Sequence, residues 1–159
     1  EPYIPEAGAR IMSLQEPSKK MSKSDTNLNN IISLLDDSKT IIKKINKSVT
    51  DSGSEVVYDE TGKPGLSNLV NIYHSLTLEP INTIEEKYVG KLYSDFKNDL
   101  SDLIIELLNP INIEYQKLMD DKNYLFDILK EGSDYAKYKS NKTLSKVYRK
   151  VGLVKNKWE

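Results

Sequence analysis

The chain carries two lysines, two serines and one methionine in an unbroken run, Lys20-Met21-Ser22-Lys23-Ser24. A lysine ammonium is a compact, flexible point charge that suits phosphate oxygens, and serine hydroxyls add short hydrogen bonds. A solvated basic loop is the alternative interpretation in a chain this rich in lysine. Methionine is scarce, with three in 159 residues, so its place between the lysines favours the functional interpretation. The run predicts a phosphate-binding loop.

An extended segment precedes this loop. Residues 9–14 read as one short strand, and Pro17 ends it because proline cannot donate to a β-ladder. Open α/β sheets bind their ligands just past the ends of their strands, which is the position of this loop. One strand cannot form a sheet alone, so its partners are expected in a part of the protein outside this chain.

After the loop the pattern becomes helical. Residues 31–35 form an apolar connector, predicted to be buried, for which strand and helix both stay open. Residues 36–38 offer an N-cap for a helix that ends near Ser48. One face of this helix is expected to bury Ile41, Ile42, Ile45 and Val49. Residues 50–65 are predicted as a loop that ends in the helix breakers Lys63-Pro64-Gly65.

Four further helices are predicted. Helical spacing begins at Leu66, and Asn82 with Glu85 resembles a capping box that opens a short helix. A long helix follows from Lys91, and Pro110 should bend it. Its apolar stripe consists of Leu92, Phe96, Leu100, Leu103, Leu107, Ile111, Tyr115 and Leu118. A last helix is predicted from about Asn123 to Lys150, in which Gly132 bends the axis or allows close packing.

Composition limits the kind of protein. The chain has 38% hydrophobic and 30% charged residues, no cysteine and one histidine, so neither a disulfide framework nor a thiolate or histidine metal site is expected. No apolar run is long enough for a membrane helix, and no signal peptide is seen. The absence of cysteine fits a cytoplasmic protein.

Charge is unevenly distributed. Between Asp95 and Asp134 the sequence has ten acidic residues and four lysines. From Lys137 onward it has eight basic residues, and Glu159 is the one acidic residue. This basic tail is either a phosphate-facing surface or a solvated helix face.

Several strings closely resemble class I aminoacyl-tRNA synthetases of the tryptophanyl type. The resemblance spans nearly the whole chain, as the C-terminal half of a bacterial-type enzyme. The lysine-serine run is shared by many class I synthetases, and the flanking strings point to tryptophan. They comprise residues 8–14, 16–25, 36–37, 43–45, 49–52, 63–69, 90–93, 109–110 and 143–148.

The resemblance implies a fold and a domain division. The expected class is mostly α, a helical C-terminal module of the anticodon-binding type attached to the truncated edge of a Rossmann-like α/β nucleotide-binding domain. Residues 1–50 would be the remnant of the catalytic domain, with its strand, loop and connecting helix. Residues 51–159 would be the helical tRNA-binding module.

The resemblance also implies a reaction with ATP, Mg²⁺, L-tryptophan and tRNA(Trp). Lys20 and Lys23 would be catalytic, since they would hold the β- and γ-phosphates. The predicted ATP-binding residues are Ile11, through its backbone, with Lys20, Met21, Ser22, Lys23 and Ser24. The predicted tRNA-binding residues are Lys139, Lys142, Lys146, Arg149 and Lys150. Three nearby tyrosines are expected in core or interhelix contacts because of their helical spacing, namely Tyr135, Tyr138 and Tyr148.

One departure from the family limits what the chain can do. The His-Ile-Gly-His element and most of the tryptophan pocket are absent, and His74 is expected at a helix surface or core edge. The chain alone is therefore expected to be inactive, with a mobile lysine loop, and monomeric or weakly associated, although the family forms homodimers. Two alternatives stay open: a non-catalytic helical RNA-binding or interaction module, and another class I synthetase such as the tyrosyl enzyme.

Overall fold

Helices dominate the structure. The computed structural model describes residues 10–154. It contains a short 3-10 helix, Leu28–Asn30, followed by α1 (Ser38–Asn46), α2 (Pro64–Thr77), α3 (Ile81–Lys87), α4 (Tyr93–Asp120) and α5 (Lys122–Val151). The prediction of a mostly α chain is confirmed. The part of the predicted strand at Ala9 and the basic residues Lys155 and Lys157 lie outside the described residues.

The chain divides into two compact units. The first ends at Asn112 and the second begins at Ile113, so α4 starts in one unit and ends in the other. Within residues 10–154, every buried apolar side chain belongs to the first unit. Its core includes Leu14, Ile41, Ile45, Val56, Leu66, Leu69, Val70, Tyr73, Ile84, Tyr88, Phe96, Leu100, Ile104 and Leu108. The predicted division after residue 50 stays a prediction about the complete protein.

The predicted strand is reduced to a single bridge. Met12 pairs with Lys20 in one antiparallel bridge, and no regular strand occurs among residues 10–154. The expectation of a regular strand over 9–14 is wrong for the described part. Its segment still runs extended, because the chain turns back at Pro17 and supplies one short partner from residues 19–21.

Helix α1 begins as predicted, but its buried face is different. The Asp37 carboxylate accepts a hydrogen bond from the Thr40 N–H at 2.7 Å and so caps the helix. Ile41 and Ile45 are buried, whereas Ile42 is 38% exposed and Val49 is 44% exposed. Ile42 lies about 100° around the helix from Ile41, on the side away from the core, so its predicted burial is wrong.

The connector before α1 is only partly buried. Ile31 is 7% exposed, but Leu34 is 62% exposed and Leu35 is 48% exposed, so the predicted burial of the whole segment is wrong. The Asp36 carboxylate accepts the Ser33 N–H at 2.9 Å, which closes a turn that leaves both leucines on the surface.

Helix α2 starts two residues earlier than predicted. Pro64 occupies the first turn, where its missing N–H costs nothing, so Lys63-Pro64-Gly65 opens the helix instead of breaking it. A Cβ atom at Gly65 would overlap the carbonyl oxygen of Val49. Glycine is therefore required here by the close approach of two backbone segments.

The capping box predicted for α3 is wrong. Pro80 holds the N-cap position, and no side chain caps the helix. The Glu85 carboxylate instead accepts the N–H of Tyr58 at 2.6 Å. Glu85 therefore bonds a residue distant in sequence instead of the start of its own helix. This hydrogen bond connects the loop over 50–63 to α3.

Helix α4 buries a row with a constant spacing of four: Phe96, Leu100, Ile104 and Leu108. The predicted stripe agrees at Phe96 and Leu100, but Leu92, Leu107 and Ile111 are 60%, 53% and 44% exposed. Beyond Leu100 the fully buried row continues through Ile104, while Leu103 of the predicted stripe is half-buried and packs against the core. Pro110 lies inside α4, and the predicted bend stays a prediction.

In the second unit, α5 lies within two residues of its predicted bounds. The Asp121 carboxylate accepts the Tyr124 N–H at 3.0 Å at the start. At the end, Gly152 has φ +73°, a left-handed conformation that suits glycine. None of the residues of α5 is buried, so this helix presents its side chains to solvent.

Candidate functional site

The base of the lysine loop is a short antiparallel pairing. The Ser13 N–H donates to the Lys19 carbonyl at 2.8 Å, and the Met21 N–H donates to the Ile11 carbonyl at 3.0 Å. These two bonds flank the Met12–Lys20 bridge. The backbone of Lys20 is thereby fixed, while its side chain stays exposed.

The backbone groups on the opposite edge of the same segment are hydrogen-bonded to three different residues. Backbone groups of successive residues alternate in direction along an extended chain, so those of Met12 and Leu14 face away from the loop. The Asn68 side chain bonds both groups of Met12, each at 2.8 Å. The Leu14 N–H donates to the Asn30 carbonyl at 3.1 Å, and the Val49 N–H donates to the Leu14 carbonyl at 2.9 Å.

Asn68 is a residue that sequence reasoning missed. It is 3% exposed and lies in α2 between Leu66 and Leu69. A polar residue in a helical pattern normally marks the solvent side. The signal that could have found it is its position among apolar neighbours on both sides, because a buried amide needs partners.

The tip of the loop is turned and partly anchored. Met21 is half-buried and packs against the core, while Ser22, Lys23 and Ser24 are exposed. The hydroxyl oxygens of Ser22 and Ser24 lie 3.0 Å apart, and the Asp25 N–H donates to the Ser22 carbonyl at 3.0 Å. The predicted mobility of the loop stays a prediction.

The Asp25 side chain closes the loop on its C-terminal side. Its carboxylate accepts the Asn30 side-chain amide at 2.9 Å and the Asn27 N–H at 2.8 Å. These bonds, the first of them foremost, hold the pKa of Asp25 below its usual value. The carboxylate therefore stays ionised while it braces the turn that follows Ser24.

Positive charge is left available at the loop. Among residues 10–154, no carboxylate lies within ion-pair distance of Lys20 or Lys23. The neighbouring Lys19 differs, since its ammonium pairs with Glu16, and the hydrogen bond to Glu16 raises the pKa of Lys19. Two exposed ammonium groups on a loop whose base is fixed at Lys20 can bind an anion, such as the phosphates of a nucleotide.

The structure brings the six predicted ATP-binding residues into one element. Ile11 lies opposite Met21 across the pairing, and its side chain packs against the core. Its carbonyl accepts the Met21 N–H. The proposed role of the Ile11 backbone in contacting the nucleotide base is not tested by these contacts and stays a prediction.

The predicted tRNA-binding residues share one side of α5. At 100° per residue, they fall within an arc of about 100°. The Lys139 ammonium lies 5.4 Å from the Tyr135 ring centre, and a surface cleft is lined by Thr143, Lys146, Val147, Arg149 and Lys150. Lys142 and the other four basic residues are all exposed. The arrangement is a basic face of one helix.

Two of the neighbouring tyrosines are not in the core. Tyr135 and Tyr138 are each 63% exposed, so a core position is wrong for these two. The third, Tyr148, is half-buried. Helical spacing alone does not distinguish a packed face from an open one, and in α5 no residue is buried.

A second polar cluster lies in the first unit. The Tyr93 hydroxyl donates to the Asp51 carboxylate at 2.9 Å and accepts from the Lys63 ammonium at 3.0 Å. Partial burial alone would raise the pKa of Asp51, but bonds from the Gly53 N–H and the Tyr93 hydroxyl, with the Lys63 charge, lower that pKa. The cluster joins the loop over 50–63 to the starts of α2 and α4.

The remaining candidates give no site. His74 is half-buried, and its Nδ1 lies 2.7 Å from the Glu79 carbonyl, which is a local contact at the end of α2. In the part of the chain that the structure describes, no group of three or more histidine or carboxylate side chains could hold a metal ion. No helix over the same residues has the length and apolarity needed to cross a membrane.

Comparison with known proteins assigns the family. A model of the class I tRNA synthetases (W and Y) matches residues 3–109, which is more than half of the chain. The chain belongs to this class I synthetase family. Within the family, the tryptophan–tRNA ligase of Listeria monocytogenes serotype 4b is 52% identical over 153 residues, which are 96% of this chain and 46% of that protein.

Solved synthetase structures agree with the fold. The tryptophanyl-tRNA synthetase of Mycoplasma pneumoniae gives a TM-score of 0.69 with 31% identity, covering 94% of this chain and 45% of that one. The Campylobacter jejuni enzyme, solved with ADP and tryptophan, gives 0.72 with 27% identity, covering 91% of this chain and 44% of that one. The chain thus spans about half the length of these synthetases and corresponds to a C-terminal half.

Proposed function

We propose that the complete protein to which this chain belongs is a tryptophan–tRNA ligase. It would join ATP and L-tryptophan into tryptophanyl-adenylate, release pyrophosphate, and pass the tryptophanyl group to tRNA(Trp). The observation that carries the proposal is the pair of exposed ammonium groups of Lys20 and Lys23 on a fixed loop base. The 52% identity to a tryptophan–tRNA ligase supports the choice of substrate.

The two lysines would act on the leaving group. When the tryptophan carboxylate attacks the α-phosphorus, the bond to the bridging oxygen breaks and pyrophosphate leaves with the electron pair. Lys20 and Lys23 would hold the β- and γ-phosphates, where this negative charge grows. Ser22 and Ser24 would donate hydroxyl hydrogen bonds, and Met21 would pack near the adenine. Mg²⁺ bound to the triphosphate would neutralise part of its charge.

By itself the chain is proposed to be inactive. Its sequence contains one histidine, His74, and no His-Ile-Gly-His element. The half of the synthetase that would supply this element and the tryptophan pocket must be present for adenylate formation. Activity is therefore measured on the complete protein.

Replacing Lys23 by alanine tests the assignment. In the complete protein, Lys23→Ala should slow tryptophan-dependent pyrophosphate exchange by about 100- to 1000-fold, because one donor to the transition-state charge is lost. Thermal stability should hardly change, since this side chain is exposed. Lys39→Ala, another exposed lysine in the same unit, is the matched control and should keep the rate.

Two results would reject the assignment. An unaltered exchange rate in Lys23→Ala would remove this lysine from catalysis. Exchange driven by tyrosine in place of tryptophan would assign the protein to the tyrosyl members of the same family.

We also propose that the basic face of α5 contacts the phosphate backbone of tRNA(Trp). All five basic residues lie on one side of the helix and are exposed. Phosphate contacts by lysine and arginine position an RNA without reading its bases. If the chain were a non-catalytic RNA-binding module, this surface would be its whole function.

Salt dependence of binding tests this surface. Binding of tRNA(Trp) should weaken as salt is added, and each lost phosphate contact should reduce the slope of log K against log salt by about 0.7 to 0.9. Lys146→Gln should lower the slope. Lys137→Gln is the matched control, because Lys137 lies on the other side of α5 and should leave the slope unchanged. Binding that ignores ionic strength would contradict the proposal.

A homodimeric assembly of the complete protein and a cytoplasmic location are part of the same proposal. They rest on its similarity to bacterial tryptophan–tRNA ligases.

A further inference from the structure

The segment that carries the lysine loop has two edges with different partners. One edge pairs with residues 19–21 of the loop itself. On the other edge, Met12 has no backbone partner among the described residues. Its N–H donates to the Asn68 Oδ1 at 2.8 Å, and its carbonyl accepts from the Asn68 Nδ2 at 2.8 Å. One side-chain amide thus takes the place of a neighbouring strand.

Asn68 is well placed for this task. Only 3% of its surface is exposed, and the adjoining Leu66 and Leu69 are 0% and 1% exposed. The packing of these neighbours fixes α2 against the core, so the amide cannot turn to water without loss of both bonds. The two bonds fix the position of the Met12 backbone relative to α2. Because Met12 pairs with Lys20 in the bridge, the position of the Lys20 backbone is fixed as well.

Loss of the Asn68 amide should not detach the whole segment. Leu14 keeps its own bonds to Asn30 and Val49, and its side chain is 1% exposed in the core. The end of the segment nearest the core therefore stays in place. The end nearest Ile11 and Lys20 would lose its two hydrogen bonds to α2 and keep only the packing of the Ile11 and Met21 side chains against the core, which confines the effect to the loop.

We propose that Asn68 is a positioning residue for the lysine loop, and that its amide fixes the place of Lys20 and Met21 through the backbone of Met12. The role of this position in catalysis rests on the proposed tryptophan–tRNA ligase function. Asn68 touches no reacting atom; it acts through the backbone pairing. Misplacement of a charged donor by a fraction of an ångström to an ångström is costly for a reaction that depends on its geometry.

Hydrogen exchange on this chain tests the anchor without any assumption about activity. In Asn68→Leu, which keeps the branched side-chain shape and removes both bonds, the amides of Ser13 and Met21 should exchange about 10-fold faster relative to those of α4. Asn71→Leu is the matched control on the same helix, since the Asn71 amide bonds the Tyr58 hydroxyl and not the loop. Asn68→Asp keeps an acceptor for the Met12 N–H but sets a carboxylate oxygen against the Met12 carbonyl, so the same two amides should exchange at least as fast as in Asn68→Leu.

Unchanged protection of Ser13 and Met21 in both Asn68 variants would overturn the anchor. If Asn68→Leu does not fold, Asn68→Asp decides alone, and faster exchange at the two amides supports the proposal. Equal acceleration across all of α4 would show a general loss of stability and would contradict a local role.

Kinetics of the complete protein test the consequence. Asn68→Leu should lower kcat for tryptophan-dependent pyrophosphate exchange by about 10- to 100-fold, with the KM for tryptophan changed by less than about 2-fold. Asn71→Leu should keep both constants. A normal kcat with faster amide exchange would overturn the positioning role. If the wild-type protein shows no exchange with tryptophan, the proposed function fails, while the anchor is still decided by the hydrogen-exchange measurement.

Discussion

Lysines of the first unit have two opposite environments. The Lys44 ammonium lies 2.6 Å from the Asp36 carboxylate, and the Lys97 ammonium donates to the carbonyls of Asn46 and Ser48 at 3.3 and 2.9 Å. Lys44 and Lys97 are 6% and 7% exposed. Lys20 and Lys23 are exposed, and within residues 10–154 neither forms an ion pair with a carboxylate.

The difference separates two uses of the same side chain. A buried ammonium with fixed partners holds backbone and side-chain groups together and cannot bind anything else. An exposed ammonium without a partner adds little to stability and remains free for an anion. Stability and catalysis should therefore respond to different lysines.

The largest expected effect concerns Lys20 and its neighbour. Lys20→Ala in the complete protein should lower the rate of pyrophosphate exchange by about 100-fold or more. Lys19→Ala, one residue earlier, should change it by less than about 3-fold, because the Lys19 ammonium pairs with Glu16 and points to a surface partner. Exchange kinetics at saturating ATP measure both. Equal losses in the two variants would reject the distinction between paired and free lysines.

A smaller effect is expected for stability at Lys97. Lys97→Met keeps the apolar stem but leaves the carbonyls of Asn46 and Ser48 without their donor. Burial lowers the pKa of Lys97, so removal of the buried charge offsets part of the loss. The free energy of unfolding should fall by about 1–2 kcal/mol. Urea unfolding of this chain measures it, with Lys47→Met at the exposed C-cap of α1 as control. Equal losses in the two variants would contradict the structural role of Lys97.

The smallest effect is expected at Asp51 in acid. The pKa of Asp51 lies below its ordinary value of 3.8 in the folded chain. Its ionised form therefore contributes stability above pH 3.8, and this contribution is lost as pH falls through the lowered pKa. Asp51→Asn should remove this acid dependence, so the wild type should lose up to about 1 kcal/mol more than the variant between pH 5 and pH 2.

Thermal unfolding across that pH range measures the difference at Asp51. Asp59→Asn is a useful comparison, since the Asp59 carboxylate accepts two local N–H groups from Thr61 and Gly62 and no side chain from another element. A wild type and an Asp51→Asn variant that lose stability in parallel would show that the cluster with Tyr93 and Lys63 contributes nothing.

Local sequence signals predicted much of this molecule. The five residues 20–24 indicated a loop with free positive charge, and the structure gives an exposed turn on a paired base. Asp37 indicated the start of α1 because an N-cap depends only on the next three residues. The bounds of α5 followed from its uninterrupted helical pattern in the same way.

Tertiary partners explain what the sequence did not reveal. Glu85 was predicted to cap α3, but the Tyr58 N–H, distant in sequence, competes for its carboxylate. No sequence pattern singled out Asn68, and only the fold brings it to Met12, 56 residues away. The buried row of α4 depends on which side faces α2 and α3, and apolar residues such as Leu107 and Ile111 also occupy exposed positions of α4.

If Lys23 serves the reaction and Lys97 serves the fold, the same substitution should have different consequences at the two positions. Two quantities are measured on the complete protein and its variants Lys23→Met and Lys97→Met: the pyrophosphate-exchange rate at saturating substrates, and Tm. Lys23→Met should lose about 100-fold or more in rate with Tm unchanged. Lys97→Met should have a lower Tm and keep its rate at temperatures well below melting. A Lys23→Met variant that keeps its rate, or whose rate falls only together with its Tm, would contradict this division of roles.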